Sequence, residues 1–291
     1  MNSTPSGGYA RSDASKIVPT RKYGQWVSLA VLIAVIALLV SAFAKADIDY
    51  GLIPEYIFDP LIVTGVVNTI KLTVVCMAVG VALGTVFAIM GQSSNLFLRT
   101  VAGLYRWLFR AVPVLVQLLI WFNLGIIFQT ISIPGVFSVQ TNEFITPWVA
   151  AVLGLGIAEG AYMSEIVRGG LISVGNGQRE AAQAVGMTGA MTMRRVVLPQ
   201  ALRVIIPPTG NEAIGMLKFT SLAYIVSYSE LLSSATRVYQ TNLKVMELLF
   251  VASIWYIALT TLLMIGQYFL ERRFGRGFAA SKVKTKTATR G

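Results

Sequence analysis

Histidine is absent from all 291 residues, and cysteine occurs once, as Cys76. Without histidine there is no Ser-His or Cys-His nucleophile pair, no HExxH zinc site and no histidine proton relay. One cysteine inside a hydrophobic run leaves no disulfide framework and no thiolate metal site. Charge is scarce as well. Only 13% of the residues are charged, against about a quarter in soluble domains. No Gly-rich phosphate loop of the G-x-x-x-x-G-K-S/T kind is present, so the chain is expected to bind no ATP and no cofactor of its own.

What fills the sequence instead is apolar: 55% of residues are hydrophobic. The formal net charge of +11 would suit nucleic acid, but its placement argues against that. The basic residues sit in the N-terminal arm, two internal loops and the C-terminal tail, between long uncharged runs. Aromatic platforms interleaved with Arg and Lys, which single-stranded nucleic acid needs, are missing. The charge reads as membrane topology, with no nucleic-acid partner.

Residues 1–25 are rich in Ser, Gly and Thr and basic, which predicts a disordered arm. Val27 to Ala44 is uncharged and long enough to cross a bilayer. Ala42-Phe43-Ala44 resembles a signal cleavage site, but the apolar run exceeds a signal core, which favours a retained helix. An acidic loop, 45–61, leads to a second span over about 61–90, where Gly80, Ala82 and Gly84 suit close helix contact. The stretch 91–110 reads as a loop carrying Arg99, Arg106 and Arg110. Further spans are expected over about 112–131, 147–167, 204–232 and 248–270, with Pro207-Pro208 breaking the fifth early. With both termini inside, the inner segments hold 19 of the 24 Lys and Arg and the outer loops hold three. That asymmetry sets the orientation. The expected fold is all-α: a polytopic membrane protein of about six helices.

Glu159, Glu165, Glu212 and Lys218 fall within these spans. Each such charge near a helix centre costs roughly 2.5–3.5 kcal/mol on the insertion scale, so these side chains should face other helices or a wet pathway. Glu159 and Glu165 are six residues apart, about 600° of helix rotation, so they do not converge. Tyr162 belongs to the same region, and Asn211 accompanies Glu212 in the irregular fifth span, which suits the wall of a cavity. Gln117 and Asn123, in the third span, are pathway groups or interhelical hydrogen-bond partners. The candidates for a substrate path are Glu165, Tyr162, Asn211, Glu212, Lys218, Gln117 and Asn123.

Between the fourth and fifth spans lies Glu180-Ala181-Ala182-Gln183-Ala184-Val185-Gly186, followed by Val196-Val197-Leu198-Pro199. Composition predicts a short helix stopped by Gly186. Ala181, Ala184, Val185 and Thr188 recur at helical steps, a low surface that a groove can approach. The pattern Glu-Ala-Ala, three residues, Gly, nine residues, Ile-x-Leu-Pro is that of ABC importer membrane subunits, and this chain resembles it with Val196 in place of Ile. Phe109 to Gln117 is partly similar to the Arg-Gly-Thr-Pro stretch of polar amino acid importer permeases. Ala161 to Gly170 and Pro207 to Leu222 match that family closely, and the likeness covers about residues 62–272.

The resemblance implies a type I ABC importer permease for an amino acid, polar or charged, in the cytoplasmic membrane. It implies an extra N-terminal helix over 26–45, a transmembrane domain over 62–272 with a coupling loop at about 176–200, and a basic tail, 273–291. The ATPase-coupling residues would be Glu180, Ala181, Ala182, Ala184, Val185, Gly186, Leu198 and Pro199. Implied partners are two ABC ATPase subunits that use ATP-Mg, a second permease copy or sister permease, and an extracytoplasmic amino acid-binding protein. The chain itself would not be an enzyme. An ion-coupled secondary transporter is the rival reading, but it should show inverted repeats and needs no docking loop.

Overall fold

In a computed structural model the protein is described over residues 23–133 and 137–274. Of the arm expected over 1–25 and the tail expected over 273–291, residues 1–22 and 275–291 lie outside the described residues, while 23–25 open the first helix and 273–274 end the last. Two compact units divide at Ile48. The first contains one helix, α1 (Tyr23–Lys45), without a charged residue before Lys45.

Among its described residues the second unit is mainly helical, with one hairpin. Its elements are α2 (Leu52–Ile57), α3 (Pro60–Gly91), α4 (Leu96–Ala111), α5 (Val114–Phe122), α6 (Leu124–Ile127), β1 (Thr130–Ile133), β2 (Phe137–Gln140), α7 (Thr141–Phe144) and α8 (Pro147–Ser173). There follow α9 (Asn176–Ala184), α10 (Gly189–Thr192), a π-turn over Met193–Val197, α11 (Leu198–Phe219), a 3-10 turn over Thr220–Val226, α12 (Leu231–Asn242) and α13 (Val245–Phe274). The strands pair antiparallel, Thr130 opposite Gln140 and Ile133 opposite Phe137. The chain is an all-α polytopic membrane protein to which this hairpin is a small addition.

Four helices, α1, α3, α8 and α13, are long and apolar enough to cross a membrane, and α4 with α5 forms a fifth candidate bent by 101°. α11, expected as a further span, is not among these candidates. Its 22 residues reach about 33 Å at 1.5 Å per residue, but Arg203, Glu212 and Lys218 lower its apolarity.

The 91–110 stretch, expected as a loop, is mostly helix. α4 is amphipathic, and its inner face packs on α3 and α8. Tyr105 stacks on Phe87 with ring centroids 3.8 Å apart and donates to the Ile157 carbonyl at 2.7 Å. Of the helix's basic residues, Arg99 and Arg110 are exposed, while Arg106 turns inward and pairs with Glu165 of α8. Pro113 explains the bend into α5: it has no N–H, and it biases Val112 toward extended backbone. Gln117 then donates to the Phe109 and Val112 carbonyls at 3.0 and 2.8 Å, so it satisfies the backbone exposed by the bend.

At the centre, α3 lies along α8. A β-carbon at Gly84 would stand 2.4 Å from Met163 Cβ, and one at Gly156 would stand 3.0 Å from Val79 Cγ1. In lipid, where tails are as apolar as side chains, such close approach supplies the packing energy. Ala82 faces outward instead. The prolines Pro207 and Pro208 do not end α11, because packing against α8 and α13 overrides their local cost. The helix stops at Phe219 and gives way to the 3-10 turn, short of the expected 232.

Candidate functional site

α8 brings two carboxylates to opposite fates. Glu159 is buried, 4% exposed, and its Oε1 has no hydrogen-bond partner. Glu165, a turn and two-thirds further on, is ion-paired. Arg106 Nε of α4 lies 3.0 Å from Glu165 Oε1, and Arg168 on α8 itself holds the other oxygen. The six-residue offset separates them as the helical period requires.

Glu159 opens onto a cavity of about 270 Å³. Tyr162 and Ala158 of α8, Glu212 and Met216 of α11, and Val114 of α5 line it with Phe219. The bend at Pro113 carries Val114 to this wall, and α11 delivers Glu212 one turn before Met216. Two carboxylates therefore share one small space with apolar and aromatic walls. Lys218 and Asn211 are exposed and do not line it. Gln117 is committed to the bend, and Asn123 donates to the Leu119 carbonyl of its own helix at 2.8 Å. Glu159 was marked in the sequence by its insertion cost but stood outside the path candidates. The helical phase placing it with Tyr162, three residues on, was the available signal.

Tyr162 borders a second, open depression with Arg106, Trp107, Arg110 and Glu165. The Arg110 guanidinium stands 5.5 Å from the Tyr162 ring centroid. The acidic cavity and this basic rim thus meet at one tyrosine.

The segment 176–200 is built from termini. α9 ends in a Schellman motif: Met187 N–H donates to the Ala182 carbonyl at 3.0 Å and Gly186 N–H to Gln183 at 2.9 Å. Gly186 takes φ +82° to close it, a conformation most side chains resist. Glu180, Ala181, Ala184 and Val185 are exposed, and Val185 is 79% so. Ala182 is buried against the rest of the segment. Thr188 does not continue that stripe. Gly186 ends the helix first, and Thr188 caps α10 by accepting from Met191 N–H at 3.3 Å. Pro199, lacking an N–H, follows the π-turn, where Leu198 N–H bonds the Met193 carbonyl five residues back.

Away from both, Glu230 stands in the turn before α12, outside the apolar spans and fully buried. It accepts from the Leu232 and Ser233 amides at 2.8 and 2.7 Å and from the Tyr256 hydroxyl at 2.8 Å. Burial pushes its carboxyl up to about 7, against the downward pull of those three hydrogen bonds.

Residues 80–276 match the family described as binding-protein-dependent transport system inner membrane component. The arginine transport system permease protein ArgU of Corynebacterium glutamicum is 41% identical over 280 residues, covering 95% of this chain and 88% of that protein. The L-cystine transport system permease protein TcyB of Bacillus subtilis is 36% identical, covering 75% of this chain and 88% of its own length. A chain of a solved amino acid ABC transporter with histidines superposes with a TM-score of 0.68 at 32% identity. That match covers 78% of this chain and 100% of the other.

Proposed function

We infer function from the premise that this chain belongs to the family of binding-protein-dependent transport system inner membrane components. It is a multi-pass permease subunit of an ABC amino acid importer in the cytoplasmic membrane, a transport component and not an enzyme.

The finer reading is that the cargo is a cationic amino acid and that it passes the cavity between α8 and α11. The observation that carries this is the pair Glu159 and Glu212 on one cavity, Glu159 buried with a carboxylate oxygen that nothing satisfies. A buried acceptor without a partner costs about 1–3 kcal/mol, and a cationic side chain would remove that cost while bound. The likeness to an arginine permease supports the same class.

Energy would enter at the segment 176–200. Its exposed Glu180, Ala181, Ala184 and Val185 form a small docking face for a separate ATPase that uses ATP-Mg, with Gly186, Leu198 and Pro199 shaping the ends. Two ATPase subunits, a second permease copy or sister permease, and an extracytoplasmic binding protein complete the assembly, and both termini lie on the cytoplasmic side. ATPase closure would shift the docking helices between two states that contact the spans differently.

The experiment is uptake of labelled L-arginine and L-cystine into proteoliposomes carrying the assembled importer. ATP-dependent uptake of L-arginine in preference to L-cystine is the expected result. Uptake driven by an ion gradient without any ATPase overturns the importer mechanism, and preference for L-cystine overturns the cationic cargo.

A further inference from the structure

α9 is joined to α8 by only two residues, Val174 and Gly175. Val174 is buried with Leu171, Val167 and Val197 in one apolar cluster, so the end of α8 is fixed. Gly175 has open space around it, with nothing within 4 Å of a notional β-carbon. Glycine offers wide backbone freedom, so the backbone alone leaves the angle between the two helices poorly held.

One side chain crosses the joint. Arg179, the fourth residue of α9, donates from Nη2 to the Leu171 carbonyl at 3.1 Å. Leu171 is third from the end of α8, among the last four carbonyls that no amide of the same helix reaches. Ser173 Oγ serves the neighbouring Gly170 carbonyl at 2.7 Å. A guanidinium there also faces the negative end of the α8 dipole. The Arg179 side chain is half-buried, and its Nε is out of solvent without a partner. The group is therefore set into the joint.

We propose that Arg179 is a positioning residue that locks α9 to the end of α8, so that displacement of the docking helix moves the helix bearing Glu159 and Tyr162. Glu159 lies twelve residues before Leu171 on the same unbroken helix, about 18 Å at 1.5 Å per residue. The other route out of α9 runs through α10 and the π-turn to α11, which carries Glu212. The end of α8 already packs on Val197 of that route, and the Arg179 bond adds a direct tie from α9 to α8. The transmission role rests on the importer reading above, whereas the lock itself does not.

Two measurements on the full chain test it. Hydrogen exchange of the α9 amides in nanodiscs should rise about tenfold in Arg179→Ala while exchange in α13 stays put. A tenfold change corresponds to about 1.4 kcal/mol, near the lower end for hydrogen bonds of charged groups. In the assembled importer, L-arginine transported per ATP hydrolysed should fall about tenfold at unchanged ATPase content, and Arg179→Lys, which keeps a cationic donor, should restore most of it. Unchanged α9 exchange overturns the lock. Raised exchange with an unchanged transport-to-ATP ratio overturns the transmission role, and so does loss of the ATPase from the assembly. A wild-type importer without ATP-driven uptake sinks the importer reading instead, and the exchange result still decides the lock.

Discussion

Gly80 of α3 lies so close to Glu159 of α8 that a β-carbon on residue 80 would stand 2.4 Å from the glutamate Cγ. The helix contact and the candidate binding group are thus one feature. Glycine permits the approach, and the approach seats the carboxyl at the cavity wall. Gly80→Val should force Glu159 off its position. Because the clash involves Cβ and backbone as well as Cγ, relaxation is limited, and overpacking of this kind costs typically about 1–3 kcal/mol. The apparent KM for L-arginine uptake should rise about tenfold, with membrane content on immunoblots unchanged. Glu159→Gln, which keeps the shape and removes the charge, should raise KM as well. A Glu159→Gln importer with the wild-type KM would remove this carboxylate from the path.

At the other site the decisive angle is the +82° φ of Gly186. No atom crowds that position, so a substitution there is penalised by backbone conformation alone, at about 1–2 kcal/mol for an ordinary side chain. Gly186→Val should therefore lower transport per ATP hydrolysed severalfold while leaving insertion intact. Gly186→Asn, which tolerates the left-handed region, should be much milder. Equal effects of the two variants would show that volume at residue 186, and not its backbone, matters.

Glu165 sits between two arginines of unequal burial, Arg106 at 17% side-chain exposure and Arg168 at 38%. Solvent screens the second more than the first. Arg106→Gln should therefore lower the thermal midpoint in detergent more than Arg168→Gln does. Glu165→Gln should lower it most, because it leaves two cations facing each other. The order of the three midpoints, read by fluorescence-based unfolding, checks the assignment.

The Glu230 carboxyl has its pKa raised from 4.5 to about 7. A group raised on folding binds its proton more tightly in the folded chain, so its contribution is complete below pH 4.5 and is lost as pH rises through about 7. The wild-type midpoint should fall across that window relative to Glu230→Gln, whose side chain does not titrate. Parallel pH profiles for the two proteins would show that Glu230 does not titrate there.

The membrane class, the helix over 61–90 and the helix stop at Gly186 were legible because each rests on local chemistry: apolar length, small-residue spacing, and a backbone angle that glycine adopts readily. The Glu180–Pro199 spacing was legible for the same reason. Elsewhere packing overrides local chemistry. The basic residues of 91–110 suggested a loop, yet α4 forms because Tyr105 and Ala102 bury against α3 and α8 and Arg106 finds a carboxylate partner on α8. Pro207-Pro208 suggested a break that α8 and α13 suppress.

The sequence by itself determined that this chain lives in a bilayer, that it carries the Glu180–Pro199 motif, and that a few intramembrane charges must be compensated. Only the tertiary structure decided which charges are compensated by what. Glu165 finds Arg106 from a helix about sixty residues away, and Glu159 finds no partner and opens on a cavity with Glu212. An insertion cost depends on one residue and its depth, so it can be read from the chain. A partner depends on which helices meet, and that is fixed by glycine contacts and a bend whose outcome no single stretch contains.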